Sequence, residues 1–314
     1  MGPVEPTTAS RSGFFVGPDG LVRPIWRAVL FVPVFVVLAI VPGIGLSFLL
    51  ESIRPGTLAE IRASQGTAPV PMLPFYVLMD VVLLLVSWLL LAALDRRSFR
   101  ALGFWFYRGW GRELLLGVGL GAALVGAVVV VLASGGWLAY QGWNENLAGA
   151  AIHTLELGIF LVFAAAAEEL IFRGYPFQRL VDSLGVPIAV AIPSLLFGFA
   201  HLGNPSATPL STANTVLAGV LLAAAYLKTR ALWLPIGLHW AWNFLMGPVL
   251  GLPVSGYRLG GLLGARVSGP EWLTGGTYGP EGSVVLTVVC AVAAVWLWRS
   301  RWVAPSTAMQ QALQ

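Results

Sequence analysis

The chain has 314 residues, of which 57% are hydrophobic and only 10% are charged. Soluble domains carry about 25% charged residues, so this composition excludes an ordinary water-facing surface and indicates a membrane protein. The net charge is +4, but the basic residues are scattered between apolar segments, so nucleic-acid binding is not expected. Cys290 is the single cysteine, which excludes an intramolecular disulfide and a cysteine-based metal cluster.

Eight apolar segments are long enough, or nearly so, to cross a bilayer as helices, since a crossing takes about 20 residues. The sequence therefore predicts an all-α, polytopic transmembrane helix bundle, because open strand edges find no hydrogen-bond partners in lipid. We expect a polar N-terminal tail over residues 1–27, a single integral membrane domain over 28–301 and a C-terminal tail over 302–314. The predicted spans are Ala28–Leu50, Pro74–Leu94, Glu113–Ala133, Leu155–Arg173 or beyond, Val186–Leu202, Thr212–Lys228, Ala231–Leu250 and Ser283–Trp298.

The basic residues between these spans indicate how the chain is oriented. If the N-terminus is cytoplasmic, 14 of the 18 Lys and Arg residues fall on the inside, and only Arg54, Arg62, Arg258 and Arg266 fall outside. The positive-inside rule expects such a bias. We therefore expect eight spans, with both termini in the cytoplasm.

Two glycine patterns concern packing. Gly117 and Gly121 in the third span are spaced to let another helix approach closely. The glycine-rich outer loop, Gly251–Gly282, is either flexible or covers a cavity, and the sequence leaves both alternatives open.

Charged side chains inside a span need a reason, because each costs at least about 2.5–3.5 kcal/mol near the bilayer centre. In this chain the charged and polar residues inside predicted spans are concentrated in the second half. They form three short motifs, which are Glu168-Glu169-x-x-x-Arg173, Phe197-x-x-x-His201 and His239-x-x-x-Asn243.

Helical spacing separates the roles of these residues. Glu169 and Arg173 are four apart with the acid first, the favourable order for an ion pair on one helix face. Glu168 lies about 100° around the helix and has no such partner, so it is expected to be a free carboxylate. His239 and Asn243 are also four apart and can face a common cavity.

The fourth and fifth spans are expected to form a hairpin that brings two motifs to one depth. Glu168 lies 17 residues before Gly185 (185 − 168), and His201 lies 16 residues after it (201 − 185). With a rise of about 1.5 Å per residue, an antiparallel pair of helices would place them side by side. This requires the fourth helix to continue beyond its predicted span, with a kink near Gly174 or Pro176.

Other polar residues in or near the spans are interpreted as structural. Asp80 and Asn214 are expected to be structural or to face a polar cavity. His153 and Glu156 form a His-x-x-Glu pattern at the edge of the fourth span. That pattern lacks a following histidine, so it is interpreted as interfacial.

The three motifs resemble, in order and in spacing, those of the CPBP family of intramembrane proteases. This family comprises CAAX prenyl proteases and bacteriocin-processing enzymes, and is also called the Abi family. The resemblance covers roughly residues 151–251. It implies a membrane-embedded site that hydrolyses a peptide bond in a membrane-associated, lipidated or prenylated peptide or protein. It also implies the plasma membrane of a prokaryote, where the family is widespread.

The resemblance also implies roles for the motif residues. Glu168 and His201 would activate a water molecule, and His239 and Asn243 would stabilise the oxyanion. A carboxylate can act as general base, and amide or imidazole donors can hold developing negative charge where water is scarce. The residues that would orient this set are Glu169, Arg173 and Phe197.

Two mechanisms stay open at this stage. One glutamate and two histidines form a known catalytic zinc set, so Glu168, His201 and His239 would be the ligands if Zn²⁺ is bound. A metal-free glutamate mechanism is equally compatible with the sequence.

Two non-proteolytic functions also remain open. The chain could be a non-catalytic membrane scaffold or immunity protein, or a proton-coupled transporter that uses the same buried polar residues. Other intramembrane protease chemistries are poorly supported, since the sequence has no His-Glu-x-x-His, Gly-x-Ser-Gly or Gly-x-Gly-Asp motif.

Overall fold

The computed structural model describes residues 13–64 and 69–314, so residues 1–12 of the predicted N-terminal tail lie outside the described part. The regular elements are α1 (Pro24–Ile53), α2 (Thr57–Ala63), α3 (Pro69–Leu90), α4 (Trp110–Ser134), β1 (Leu138–Trp143), α5 (Leu147–Arg173), α6 (Tyr175–Ala200), α7 (Pro209–Thr229), α8 (Trp233–Phe244), β2 (Leu263–Val267), α9 (Glu271–Thr274), α10 (Val284–Arg299) and α11 (Thr307–Leu313). Two π-helical turns (Leu91–Asp95 and Leu245–Val249) and two 3₁₀ turns (Phe99–Leu102 and Pro280–Gly282) complete the fold.

The predicted all-α transmembrane class is confirmed. Each of the eight predicted spans is helical, and the seventh ends in the π turn after α8. Within the described residues, five continuous helical segments are long and apolar enough to cross a membrane, and one of them, Leu147–Ala200, contains both the fourth and the fifth predicted spans. The protein is thus a multi-pass integral membrane protein. The number of crossings and the orientation stay predictions.

A short antiparallel ribbon of β1 and β2 is a feature that the sequence did not predict. Leu138 pairs with Val267, and Trp143 pairs with Leu263. Both strands belong to loops outside the apolar helices, where backbone groups can pair without being exposed to lipid. The ribbon fastens the glycine-rich outer loop to the segment after α4. That loop is therefore held in place, and it covers one end of the cavity described below.

The hairpin of α5 and α6 has the predicted form. α5 ends at Arg173, the chain kinks at Gly174 (φ −76°, ψ −139°) and the helix resumes at once with α6. Gly185 is the single non-helical residue inside α6, with φ 74° and ψ 167°. Glycine adopts this positive φ without steric cost, so the chain reverses there. The turn expected near residues 182–185 is confirmed, and so is the kink.

A buried ion cluster fixes the far end of this hairpin. The Asp95 carboxylate accepts a hydrogen bond from Arg27 at 2.6 Å and another from Arg179. These residues belong to α1, to the turn after α3 and to α6, so one carboxylate joins three helical segments. Truncating one partner of a buried pair leaves an uncompensated charge, which explains why all three groups are present together.

α4 and α8 touch through their backbones. A Cβ atom at Gly117 would lie 2.2 Å from the carbonyl oxygen of Leu234, and one at Gly121 would lie 2.7 Å from that of Leu238. On the α8 side, a Cβ atom at Gly237 would lie 2.3 Å from the carbonyl oxygen of Leu114. The predicted close approach at Gly117 and Gly121 is confirmed, and α8 is the helix that carries the third motif.

We expect Gly117→Ala to lower the thermal unfolding midpoint, because the added methyl group must push α8 away from α4. Overpacking of this kind costs about 1–3 kcal/mol. Gly119→Ala is the matched control in the same helix, since a Cβ there meets nothing within 4 Å. Differential scanning fluorimetry of both variants in detergent makes the comparison, and equal midpoints would contradict the packing argument.

Candidate active site

A cavity of about 300 Å³ lies inside the helix bundle. α3, α4, α5, α7, α8 and α10 bound it, together with the end of α6 and the outer loop between α8 and α10. The motif residues that line it are Glu168, Phe197, His201, His239 and Asn243. Glu169 and Arg173 are buried beside it. The structure thus brings all three motifs to one place, as the sequence predicted.

Glu169 and Arg173 form the predicted ion pair, and both side chains are almost completely buried. Arg173 Nη1 lies 3.2 Å from Glu169 Oε1, and Nη2 donates to the carbonyl oxygen of Gly219 at 3.1 Å. The guanidinium also lies over the Phe197 ring, 4.6 Å from its centroid. Burial of a charge without such partners is prohibitively costly, so each group accounts for the presence of the other.

His239 is held by the same carboxylate. Its Nδ1 lies 2.9 Å from Glu169 Oε1, so Nδ1 carries a proton and donates it to that oxygen. Nε2 then faces Glu168, with 3.7 Å between Nε2 and Oε2. That distance is too long for a direct hydrogen bond. Glu168 Oε2 has no hydrogen-bond partner among the described residues, so it is the free carboxylate that the spacing predicted.

His201 lies directly after the last residue of α6. Its Nδ1 lies 2.7 Å from the Phe197 carbonyl oxygen, which can only accept, so Nδ1 carries the proton. The rings of Phe197 and His201 are in contact, with 4.7 Å between their centroids and an angle of 57° between their planes. Nε2 is consequently the nitrogen left free for chemistry. His201 and Glu168 line the same cavity, so the structure brings together the two residues that the hairpin was predicted to place side by side.

A comparison with protein families identifies this part of the chain. Residues 149–245 match the family described as type II CAAX prenyl endopeptidase, Rce1-like. The resemblance to the CAAX proteases is confirmed. The matched stretch, called here the Rce1-like segment, is 97 residues long (245 − 149 + 1), about a third of the chain. Comparisons with curated proteins and with solved structures give no match.

Local sequence signals position the helices of the Rce1-like segment. The Asn146 side chain accepts from the Gly149 amide and begins α5. Thr208 and Ser211 form a reciprocal capping box that begins α7 immediately after the His201 turn. Arg230, with φ 57°, ends α7 in the left-handed conformation, and α8 starts three residues later. Caps of this kind satisfy the free backbone groups at helix ends, so the boundaries are fixed close to the motif residues.

The three residues predicted as zinc ligands, Glu168, His201 and His239, line the same cavity. Among residues 13–64 and 69–314, no group of three or more His, Cys, Asp or Glu side chains is arranged to hold a metal ion. The Nδ1 atoms of His201 and His239 are both engaged, as they are in metal sites, but Glu168, His201 and His239 do not form a closed ligand set.

Sequence reasoning missed an acidic residue of the cavity, Glu281. Its Oε1 accepts a hydrogen bond from Trp242 Nε1 at 2.9 Å, and its Oε2 accepts from the backbone amide and the hydroxyl of Ser255. Trp242 precedes Asn243, so this carboxylate ties the outer loop to the helix that carries the third motif. The place of Glu281 in the cavity can be recognised only from its contacts in the folded structure, because the glycine-rich sequence around it contains no motif.

Tyr278 makes a second connection from the outer loop. Its phenol is hydrogen-bonded with Asn204, which lies in the turn after His201, and with Ser255. Burial raises the pKa of Tyr278, so the group stays a neutral hydroxyl. Through Tyr278 and Glu281, the outer loop therefore contacts both the turn after His201 and α8, the helix that carries His239.

Two of the remaining polar residues, His153 and Asn214, have partners outside the motif set. His153 lies 3.7 Å from Glu156, is partly exposed and contacts the Leu259 carbonyl oxygen, as expected for an interfacial pair. Asn214 lines the cavity, but its amide donates to two backbone carbonyls and its oxygen accepts from Thr287. Asp80 is buried in α3.

We expect Arg173→Met to destabilise the fold by about 3–5 kcal/mol, because it leaves the Glu169 carboxylate buried without its cation. The double variant Glu169→Gln/Arg173→Met should recover most of that loss, since an amide oxygen can still accept from His239. Denaturant unfolding in detergent measures both. A double variant no more stable than the single one would contradict the account of Glu169 and Arg173 as a compensated pair.

Proposed function

We propose that this protein is an intramembrane endopeptidase that hydrolyses a peptide bond in a membrane-associated or lipidated peptide. The proposal rests on one observation, which is that Glu168, His201, His239 and Asn243 line the same cavity. That cavity lies largely within a segment that matches a peptidase family. The proposed partners are a peptide or protein substrate, prenylated or otherwise bound to the membrane, and the lipid bilayer.

In the proposed reaction, Glu168 and His201 activate a water molecule between them. Glu168 Oε2 has no hydrogen-bond partner in the described chain, and His201 Nε2 is free because Nδ1 is bound to Phe197. Both atoms can therefore accept a hydrogen bond from the same water. Glu168 takes the proton as the water oxygen attacks the scissile carbonyl carbon, and this proton later passes to the leaving amine. General acid–base catalysis of this kind contributes about 10²–10⁴-fold.

The oxyanion that forms on the scissile carbonyl is assigned to His239 and Asn243. The Asn243 amide donates directly, and His239 donates from Nε2 when that nitrogen carries a proton. Glu169 holds the opposite side of the ring, so the imidazole is oriented before substrate arrives. Donors that are already oriented stabilise developing negative charge without reorganisation. The buried Glu169–Arg173 pair contributes by holding the His239 ring in this orientation.

Replacing the water-activating residues should abolish cleavage. We expect Glu168→Gln and His201→Ala each to lower kcat/KM for a fluorogenic lipidated peptide by at least about 10²-fold. The first removes the base that takes the water proton, and the second removes a hydrogen-bond acceptor that orients the water. Glu156→Gln is the matched control, because it removes a glutamate charge from α5 outside the cavity.

The same assay, with purified wild type and variants, also tests whether cleavage needs a metal ion. Activity should persist after treatment with a zinc chelator. Loss of activity that added Zn²⁺ restores would assign Glu168, His201 and His239 to a metal instead. A phenotype in cells that survives both substitutions, with no peptide cleaved, would point to the scaffold function. Substrate-dependent flux in liposomes would point to a transporter.

Asn243→Ala should lower kcat with little change in KM, because the amide is assigned to an interaction made in the transition state. Removing one oxyanion donor costs about 10²–10³-fold in kcat. Steady-state kinetics with the same peptide separate the two constants. A rise in KM at constant kcat would instead place Asn243 in substrate binding.

A further inference from the structure

A groove of about 750 Å³ lies along the C-terminal half of α10, on the surface of the bundle. Its apolar wall includes Val292, followed three and four residues later by Val295 and Trp296, so the three side chains share one helix face. Each of them is more than half exposed. Leu286 and Cys290 of the same helix line the active-site cavity instead. The groove is therefore separate from that cavity, and its apolar wall is expected to meet lipid, since α10 is one of the predicted spans.

The other end of the groove is cationic. Arg299, the last residue of α10, and Arg301 both line it, and both are exposed. Lys228 Nζ donates to the carbonyl oxygen of Ser300, which lies between them in the chain, at 2.6 Å, so a third positive charge is close by. The described wall of the groove contains no Asp or Glu, and none of the three cations forms a salt bridge with a described residue. Their charge is therefore not compensated within the described part of the chain.

The position of these residues in the chain matches the layers of a bilayer. Trp296 and Trp302 line the groove where its apolar part meets its cationic part, and Trp302 is 90% exposed. Tryptophan is enriched at this depth, where the hydrocarbon gives way to the headgroups. The positive-inside rule also predicts that this end of α10 is cytoplasmic, and the cytoplasmic leaflet is the one that carries negative surface charge. The groove thus offers an apolar wall at the depth of lipid tails and cations at the depth of headgroups.

We propose that this groove binds one anionic phospholipid of the surrounding bilayer. An acyl chain lies along the Val292 and Val295 face of α10, and the headgroup phosphate lies against Arg299 and Arg301. A guanidinium pairs with phosphate through two parallel hydrogen bonds, so arginine suits this role better than a point charge would. A zwitterionic lipid has no net negative charge to offset the cations, and a free phosphate would leave the apolar wall uncovered. The inference does not depend on the proposed peptidase activity.

Native mass spectrometry of the full chain in detergent, titrated with dioleoyl phosphatidylglycerol or dioleoyl phosphatidylcholine, tests the proposal. We expect the wild type to bind the anionic lipid at least about tenfold more tightly than the zwitterionic one. The double variant Arg299→Gln/Arg301→Gln should lose this preference. The matched control is Arg96→Gln/Arg97→Gln, which also removes two exposed arginines from the predicted cytoplasmic side but does not touch the groove. It should keep the preference.

Thermal unfolding midpoints establish that the variants are folded. If the arginine variant does not fold, Val292→Trp replaces it, because the larger side chain fills the apolar part of the groove and should also weaken binding of the anionic lipid. A wild type without a lipid preference, or an equal loss in both double variants, would overturn the inference. Displacement of the lipid by an equal concentration of glycerol phosphate would assign the arginines to a soluble phosphate instead. A dimer that only Arg299→Gln/Arg301→Gln dissociates, with no lipid bound, would place a second copy of the chain in the groove.

Discussion

The Glu169 carboxylate, buried between Arg173 and His239, is the interaction on which the site depends. One of its oxygens contacts both partners, at 3.2 Å and 2.9 Å. It compensates the arginine that the α5–α6 hairpin buries, and it fixes which nitrogen of His239 faces the cavity. A single carboxylate thus links the stability of the hairpin to the orientation of a proposed catalytic ring. Loss of Arg173 would leave the carboxylate charge in a medium that cannot solvate it.

The sequence predicted the helical class and most of the site because the membrane leaves few alternatives. Apolar segments of bilayer length must be helical, and charged residues within them need partners. Spacing alone then separated Glu169, which is paired four residues on, from Glu168, which is not. The glycine at position 185 marked the reversal that brings Glu168 and His201 together. Each of these inferences uses neighbours along one helix or one hairpin.

What the sequence could not predict depends on contacts between distant loops. Glu281 reaches the cavity from the outer loop, where Trp242 and Ser255 hold its carboxylate. Its partner Trp242 is 39 residues away, and nothing in either local sequence marks the pair. Likewise, the sequence left a zinc site open, because composition lists possible ligands without showing whether they converge. Among the described residues, no group of three or more His, Cys, Asp or Glu side chains is arranged to hold a metal ion.

The backbone contact between α4 and α8 bears on the thermodynamics of catalysis. Where glycine meets a carbonyl group, no side-chain rotamers are frozen, so the contact is rigid at little cost in conformational entropy. His239 and Asn243 extend from a helix held in this way on one side and by Glu281 and Trp242 at its end. The side chains of His239 and Asn243 are therefore already ordered when the chain has folded. A substrate that enters the cavity need not give up binding free energy to create this order.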